Sequence, residues 1–209
     1  MQIYNFELSN MYVNAYLILP DGAGAILVDA PEGAYDTVGK FLQQKNIKLE
    51  ALLITHNHWD HIWDIKKFKD SDVKIYSATN GVEVTHEANR NFSHIFGVEK
   101  IDDSVAPDVS LFDGQTLEFG DCKIEVRLTP GHSLDSAIFY IASQKQAFVG
   151  DLIFMNSIGA THFPGGNFAE LEKSIKNKIY TLPDDTKLCP GHGPSTSVGA
   201  EKATNPYVR

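Results

Sequence analysis

Arginine is almost missing from this 209-residue chain: Arg90, Arg127 and Arg209 are all there is. Basic residues number 18 against 27 acidic, a formal net charge of -9. A surface of that average sign repels phosphate backbones, which excludes nucleic acid as an expected partner. Cysteine is equally scarce. Cys122 and Cys189 are too few for a disulfide framework and fit two free thiols in a reducing compartment. No stretch approaches the roughly 18 consecutive apolar residues of a membrane helix. The first ten residues carry Glu7 and no basic start followed by an apolar run, so they do not read as a signal peptide. The expected location is therefore cytoplasmic, with no membrane partner.

What is present describes an ordinary globular chain, 43% hydrophobic and 22% charged. A fold of this size buries roughly 70% of its unfolded surface, so its core needs neither disulfides nor metal, and any metal would be functional. No low-complexity tract or Pro/Ser-rich linker divides the chain, and one domain over residues 1–209 is the simplest organisation. In the first half, apolar runs at Ala15 to Leu19, Ala25 to Val28, Leu49 to Thr55 and Val73 to Tyr76 alternate with helical stretches at about Pro31 to Lys45 and His61 to Phe68. That alternation predicts strand-helix-strand units. A helix over Val84 to Phe96 precedes short strands at Thr116 to Phe119, Lys123 to Thr129, Ser136 to Ala142 and Gln146 to Val149. Asn167 with Glu170 three residues later predicts a capped helix from Phe168 to Tyr180, before a last strand at Lys187 to Cys189.

Eight histidines are the informative count, and three of them fall in Thr55-His56-Asn57-His58-Trp59-Asp60-His61. If the preceding strand continues extended through His58, residues 56 and 58 face one side, while Asp60 and His61 fall where the next helix opens. One short segment can then face two adjacent metal positions. Imidazole and carboxylate suit zinc, iron or manganese. The plainer reading is a polar loop capping a strand, but so many ligand-type residues in one run are an odd way to make such a cap. Pro130-Gly131-His132, Gly150-Asp151 and Pro190-Gly191-His192 repeat the arrangement: an apolar strand runs into a Gly-containing turn that presents one ligand-type side chain. Together these residues make seven candidates.

In these motifs, taken in order from Leu27-Val28-Asp29 through the His56 run to His192, the chain resembles the metallo-β-lactamase superfamily, and within it the glyoxalase II branch of thioester hydrolases. The resemblance implies an α/β, four-layer αββα sandwich with the metal site at the sheet edge. It implies two divalent metal ions per chain, zinc first, with iron or manganese as alternatives. His56, His58 and His132 would hold one ion and Asp60, His61 and His192 the other, with Asp151 bridging and Asp29 orienting a ligand. Hydroxide generated at the metals would attack the carbonyl of a small-molecule substrate, with Asp60 the candidate for catalytic proton handling. The electropositive metal centre makes an anionic substrate compatible with the acidic chain.

The leaving group can be argued separately. The sequence marks no independent general acid, and a thiolate with pKa around 8.5 departs without one, whereas an amine does not depart as its anion. That favours a thioester over an amide. The rival reading is a mononuclear iron persulfide dioxygenase using His56, His132 and Asp151; a hydrolase of another ester or a lactam ranks below it. Several residues depart from the glyoxalase II pattern. Only seventeen residues follow His192, so the helical C-terminal domain that helps bind glutathione is not expected within them. Ala160 and His162 stand where relatives carry arginine and aspartate. Trp63-Asp64 replaces a usual Gly pair, and Trp63 is expected to pack beneath the site and narrow it. His162, His86 and His94 are expected to be surface or packing residues, and Cys189 to fill core space.

Overall fold

The computed structural model describes residues 1–96 and 105–209, together with the side chains in them other than those of residues 88 and 91–96. Two six-stranded sheets face one another. The first runs in chain order through β1 (Gln2–Leu8), β2 (Val13–Leu19), β3 (Ala25–Val28), β4 (Leu49–Leu53), β5 (Lys74–Ser77) and β6 (Val109–Ser110). Its first three strands are antiparallel neighbours, and β3 to β6 are parallel. The second sheet holds β7 (Thr116–Phe119), β8 (Cys122–Leu128), β9 (Ala137–Ile141) and β10 (Gln146–Gly150). A small hairpin, β11 (Ile153–Phe154) and β12 (Ser157–Ile158), then leads on to β13 (Lys187–Pro190) and β14 (Thr196–Ser197). Strand order in this sheet is β14-β13-β10-β9-β8-β7, with β10 and β13 parallel.

Side-chain parity along the strands builds the four layers. In β3, Ile26 and Val28 point between the sheets, where they join Tyr16, Leu53, Phe139, Phe148 and Cys189. Ala25 and Leu27 point the other way, onto α1 (Ala34–Lys45), α2 (Trp59–Ile62) and α3 (Ile65–Lys69). Both faces of these strands are covered, which is why they read as continuous apolar runs rather than alternating ones. The second sheet repeats the scheme. Ile138, Tyr140, Val149 and Leu188 face outward onto α5 (Phe168–Ser174), the π-helical turn Ile175–Ile179 that continues it, and α6 (Val198–Thr204). Between α3 and β7 the chain also forms α4 (Val82–Phe96). The αββα expectation is thus met.

α1 buries Ala34, Val38 and Leu42, one per turn on a single face, and ends where Asn46 takes a left-handed φ of 54°. It begins three residues after Pro31, because Gly33 at φ 86° makes a turn first. α5 opens as expected, with the Asn167 side chain accepting a hydrogen bond from the Glu170 backbone N–H. The single helix expected over His61 to Phe68 is instead α2 and α3, broken at Trp63-Asp64. Its backbone is diverted there: Ala30 donates to the His61 carbonyl at 2.7 Å, and Asp64 N–H donates to the Ala30 carbonyl at 2.9 Å. The expectation for His94 falls outside the described side chains. Among the described residues no helix is long and apolar enough to cross a membrane.

Candidate metal centre

Every candidate ligand follows the end of a strand at one edge of the sandwich. His56, His58, Asp60 and His61 follow β4; His132 follows β8, Asp151 follows β10 and His192 follows β13. Hydrogen bonds across the seam between the sheets hold these ends in register. Asn14 N–H donates to the Gly191 carbonyl and Ala137 N–H to the Thr55 carbonyl, both at 2.7 Å, while within the second sheet Gly191 N–H donates to the Gly150 carbonyl at 2.8 Å. The Asn14 side-chain amide reaches the carbonyls of Pro190 and Gly193, and the Tyr16 hydroxyl donates to that of Pro190.

All seven residues come together. Their ligand atoms form three overlapping sets, His56/His58/His132, His56/His61/Asp151 and Asp60/His61/His192, the atoms of each lying within 4.8 Å of one another. His58 Nδ1 and His132 Nε2 are 2.8 Å apart. Asp151 sits at the centre, with Oδ1 3.4 Å from His61 Nε2 and Oδ2 3.7 Å from His132 Nε2 and 3.6 Å from His192 Nε2. That places it between the two outer sets. Asp60 Oδ2 lies 3.2 Å from His192 Nε2.

The rings are turned toward the cluster by hydrogen bonds on their far side. Asp29 accepts from His61 Nδ1 and from the Thr55 backbone and hydroxyl, each at 2.8 Å. The Thr55 hydroxyl, donating to Asp29, is left to accept from His56 Nδ1 at 3.1 Å. His132 Nδ1 donates to the Ala160 carbonyl at 2.8 Å and His192 Nδ1 to the Met11 carbonyl at 3.0 Å. Fixing the proton on Nδ1 leaves the Nε2 lone pair for a metal. Asp29 takes φ 62°, a left-handed conformation that aspartate tolerates better than most residues. It acts on two ligands rather than one.

Electrostatics divides the cluster. Burial, reinforced by neighbouring histidines, drives the pKa of His56 well below the imidazole range and that of His58 down to about 4. Both rings are therefore neutral, as metal ligation requires. At His61 burial works the same way but is outweighed by Asp151, Asp60 and Asp29, which raise its pKa well above the usual value. Burial is likewise overcome at Asp60 and Asp151, whose carboxyls are held below their ordinary range chiefly by His61. The ionised carboxylates give the centre its pull on positive charge.

The donor set fits divalent cations on the structure's own terms. Nε2 of His56 and of His61 and Oδ1 of Asp151 are buried with no hydrogen bond, an expensive arrangement unless a cation meets them. Gly191 preserves the space: a Cβ there would strike Asp151 Oδ1 and come within 2.6 Å of His61 Cε1. Imidazole and carboxylate without thiolate suit zinc, iron or manganese.

Around this centre the structure adds groups that motif reading did not find. Asp135 Oδ2 accepts from the backbone and side-chain amides of Asn57, and its Oδ1 from the Thr85 hydroxyl on α4. Asn89, also on α4, accepts from Trp59 N–H and donates to the Asn57 carbonyl. The metal loop is thus clamped by α4 at two points. The available signal was the position of Asp135 three residues after His132. Phe163 puts its ring edge-on to His58 and His132, and the exposed His162 packs on Phe163 with the rings tilted at 48° and their centroids 4.2 Å apart. His86 is half-buried beside Asn57 and Ser77, and Cys189 is core. Trp63 is half-buried next to the site. It meets the buried Trp59 edge-on at 5.8 Å and lines a cavity with Asp60.

Comparison with known proteins gives concordant results. The profile of the metallo-beta-lactamase superfamily matches residues 9–192. A protein named hydroxyacylglutathione hydrolase GloC from Haemophilus influenzae is 30% identical over 209 residues, spanning 100% of this chain and 98% of its own. The crystal structure of BLEG-1 B3 metallo-beta-lactamase superposes with a TM-score of 0.88 at 31% identity, covering 99% of both chains. TTHA1623, crystallised in a di-iron-bound form, gives 0.86 at 29% identity, over 98% of this chain and 100% of the other.

Proposed function

From the premise that the chain belongs to the metallo-beta-lactamase superfamily, a metallo-hydrolase assignment that its His/Asp cluster supports, we propose that it is a dinuclear thioester hydrolase of hydroxyacylglutathione hydrolase type. In this reading His56, His58 and His132 hold one cation, Asp60, His61 and His192 hold the second, and Asp151 serves both. The di-iron form of TTHA1623 is the precedent for two ions, and zinc is the first candidate here. Ions held there would supply a water of near-neutral pKa and polarise the substrate carbonyl.

The observation that carries the thioester reading is the state of the carboxylates. Asp29 is engaged by Thr55 and His61, Asp60 by His192, and Asp151 by three imidazoles. Asp60 and Asp151 are held ionised by their histidine neighbours, so neither is a ready acid for a departing amine. A thiolate needs none. Asp60, shared by the cluster and the adjoining cavity, stays ionised and serves as a hydrogen-bond acceptor that orients the attacking water. Asp29 holds two rings in the tautomer that ligation needs, and Phe163 shields the His58/His132 side from water.

The rival dioxygenase reading placed a single iron on His56, His132 and Asp151; His132 Nε2 lies 3.7 Å from Asp151 Oδ2, and His56/His61/Asp151 is a second grouping of the same two-histidine, one-carboxylate composition, so that reading is kept as the rival. One experiment separates them: metal analysis of protein purified without added metal, with turnover of acyl-glutathione and other thioesters, a β-lactam, and glutathione persulfide under oxygen monitoring. About two ions per chain with thioester cleavage is the expected result. Fewer than one ion after reconstitution, or no turnover of any thioester, overturns the proposal. Oxygen uptake on persulfide by iron-loaded protein would assign the rival, and β-lactam cleavage alone would assign a lactamase. No nucleic acid or membrane partner enters this reading.

A further inference from the structure

Next to the cluster lies a cavity of about 260 Å³, walled by residues 9–11 of the β1–β2 turn, Glu32, Trp59, Asp60 and Trp63. Two contacts join it to the metal centre. Asp60 belongs to both, and Met11, whose carbonyl orients His192, also forms part of the wall. A substrate carbonyl at the cluster therefore has this cavity as an immediate neighbour.

Its chemistry is selective. The two indoles meet edge to face at 5.8 Å, and Met11, 41% exposed, adds a flexible thioether surface. Among the described residues no lysine, arginine or histidine lines it, while two carboxylates do. Asp60 is engaged by His192 and by the proposed cation, so it is Glu32 that an anionic group placed there would meet as like charge, whereas an apolar group gives up only its water. The volume is below the roughly 300–1,000 Å³ that encloses a whole drug-sized ligand, which suits one ring or a short alkyl chain.

We propose that this cavity seats the acyl group of the substrate and that the acyl group is uncharged and apolar, an aryl or medium-length alkyl chain, with Trp63 as a specificity-determining residue. This rests on the thioester reading and adds the acyl class to it. Any anionic character in the substrate then belongs to the thiol carrier and not to the acyl end.

The test is a series of N-acetylcysteamine thioesters that share the thiol and carry acetyl, hexanoyl, phenylacetyl or succinyl groups. About fourfold in kcat/KM per buried methylene is expected, so hexanoyl and phenylacetyl should exceed acetyl at least tenfold, with succinyl no better than acetyl. Trp63→Ala should shrink the hexanoyl-to-acetyl ratio at least fivefold, and Trp63→Phe, which keeps an aromatic wall, should retain most of it. The chain's two tryptophans, Trp59 and Trp63, both line the cavity, so intrinsic fluorescence reports on it without turnover. Hexanoate and phenylacetate should change the emission saturably and succinate should not. A flat kinetic series, a ratio unchanged by Trp63→Ala, or a spectrum unresponsive to hexanoate overturns the assignment. If no thioester is cleaved the hydrolase reading fails, and the spectrum alone decides the cavity. If thioesters are cleaved without acyl preference, the hydrolase reading stands and the cavity assignment falls.

Discussion

Asp29→Asn isolates the role of one carboxylate, because asparagine has the same shape and also tolerates the left-handed backbone at φ 62°. The native Oδ1 accepts from Thr55 N–H, and Oδ2 accepts from both the Thr55 hydroxyl and His61 Nδ1. With the amide oxygen kept on the Thr55 N–H, the amide NH₂ faces His61 Nδ1. Two donors then oppose one another, and the ring relieves the conflict by moving its proton to Nε2, the atom that points at Asp151 and Asp60. The ligand lone pair is lost from the cluster. The Thr55 hydroxyl is also deprived of its acceptor, which loosens the second ring it supports at His56. Loss of such an outer partner typically costs 10–100-fold in metal affinity, and an unsatisfied buried group about 1–3 kcal/mol of stability. The measurement is competition for zinc against a chromophoric chelator, paired with thermal denaturation of the metal-free protein. At about 2–4 °C per kcal/mol for a chain of this size, the melting temperature should fall by roughly 2–12 °C. A variant that binds both ions with wild-type affinity refutes the tautomer argument, whatever its melting temperature.

Other consequences can be checked with standard assays. Chelation of the purified protein should lower its melting temperature by roughly 5–10 °C, and zinc at about a hundredfold its dissociation constant should restore it; an unchanged melting temperature after complete metal removal would count against a cation joining the two sheets. Gly191→Ala drives a methyl group into Asp151 and His61, and should leave far-UV circular dichroism intact while reducing bound metal and thioester turnover at least tenfold. Asp135→Ala strands the two Asn57 amide donors and the Thr85 hydroxyl, so urea denaturation should show a loss of about 3 kcal/mol, and a loss near zero would remove the α4 clamp from the account. Burial pushes the thiols of Cys122 and Cys189 up to about 11; Ellman's reagent at pH 8 should therefore titrate neither in the native protein and both in denaturant.

The ligands were legible in the sequence because their signal is local: each stands at the end of an apolar strand, and four fall within six positions. Buried strands such as Ala25–Val28 were legible for a related reason, since a strand covered on both faces is apolar throughout. β1 went unread because it is a half-exposed edge strand whose character comes from pairing along β2. The break at Trp63-Asp64 was hidden as well. Nothing in the local pattern announces that the backbone of Ala30, more than thirty residues earlier, will claim hydrogen bonds there. Asp135 and Asn89 belong to the same class. Their partners are fixed by how α4 docks on the metal loop, a tertiary fact that spacing along the chain does not encode.

The provenance of the ligands has a kinetic consequence. Each of the three donor sets draws one member from the second sheet, His132, Asp151 or His192, and the rest from the segment after β4. Among the described residues neither sheet alone offers one of these sets. Loop closure over such separations is slow and entropically costly, so a cation cannot collect its ligands until both sheets exist and have docked. Metal uptake is then a late event in the life of a newly made chain, and a loaded centre certifies that the strands bearing it have found one another.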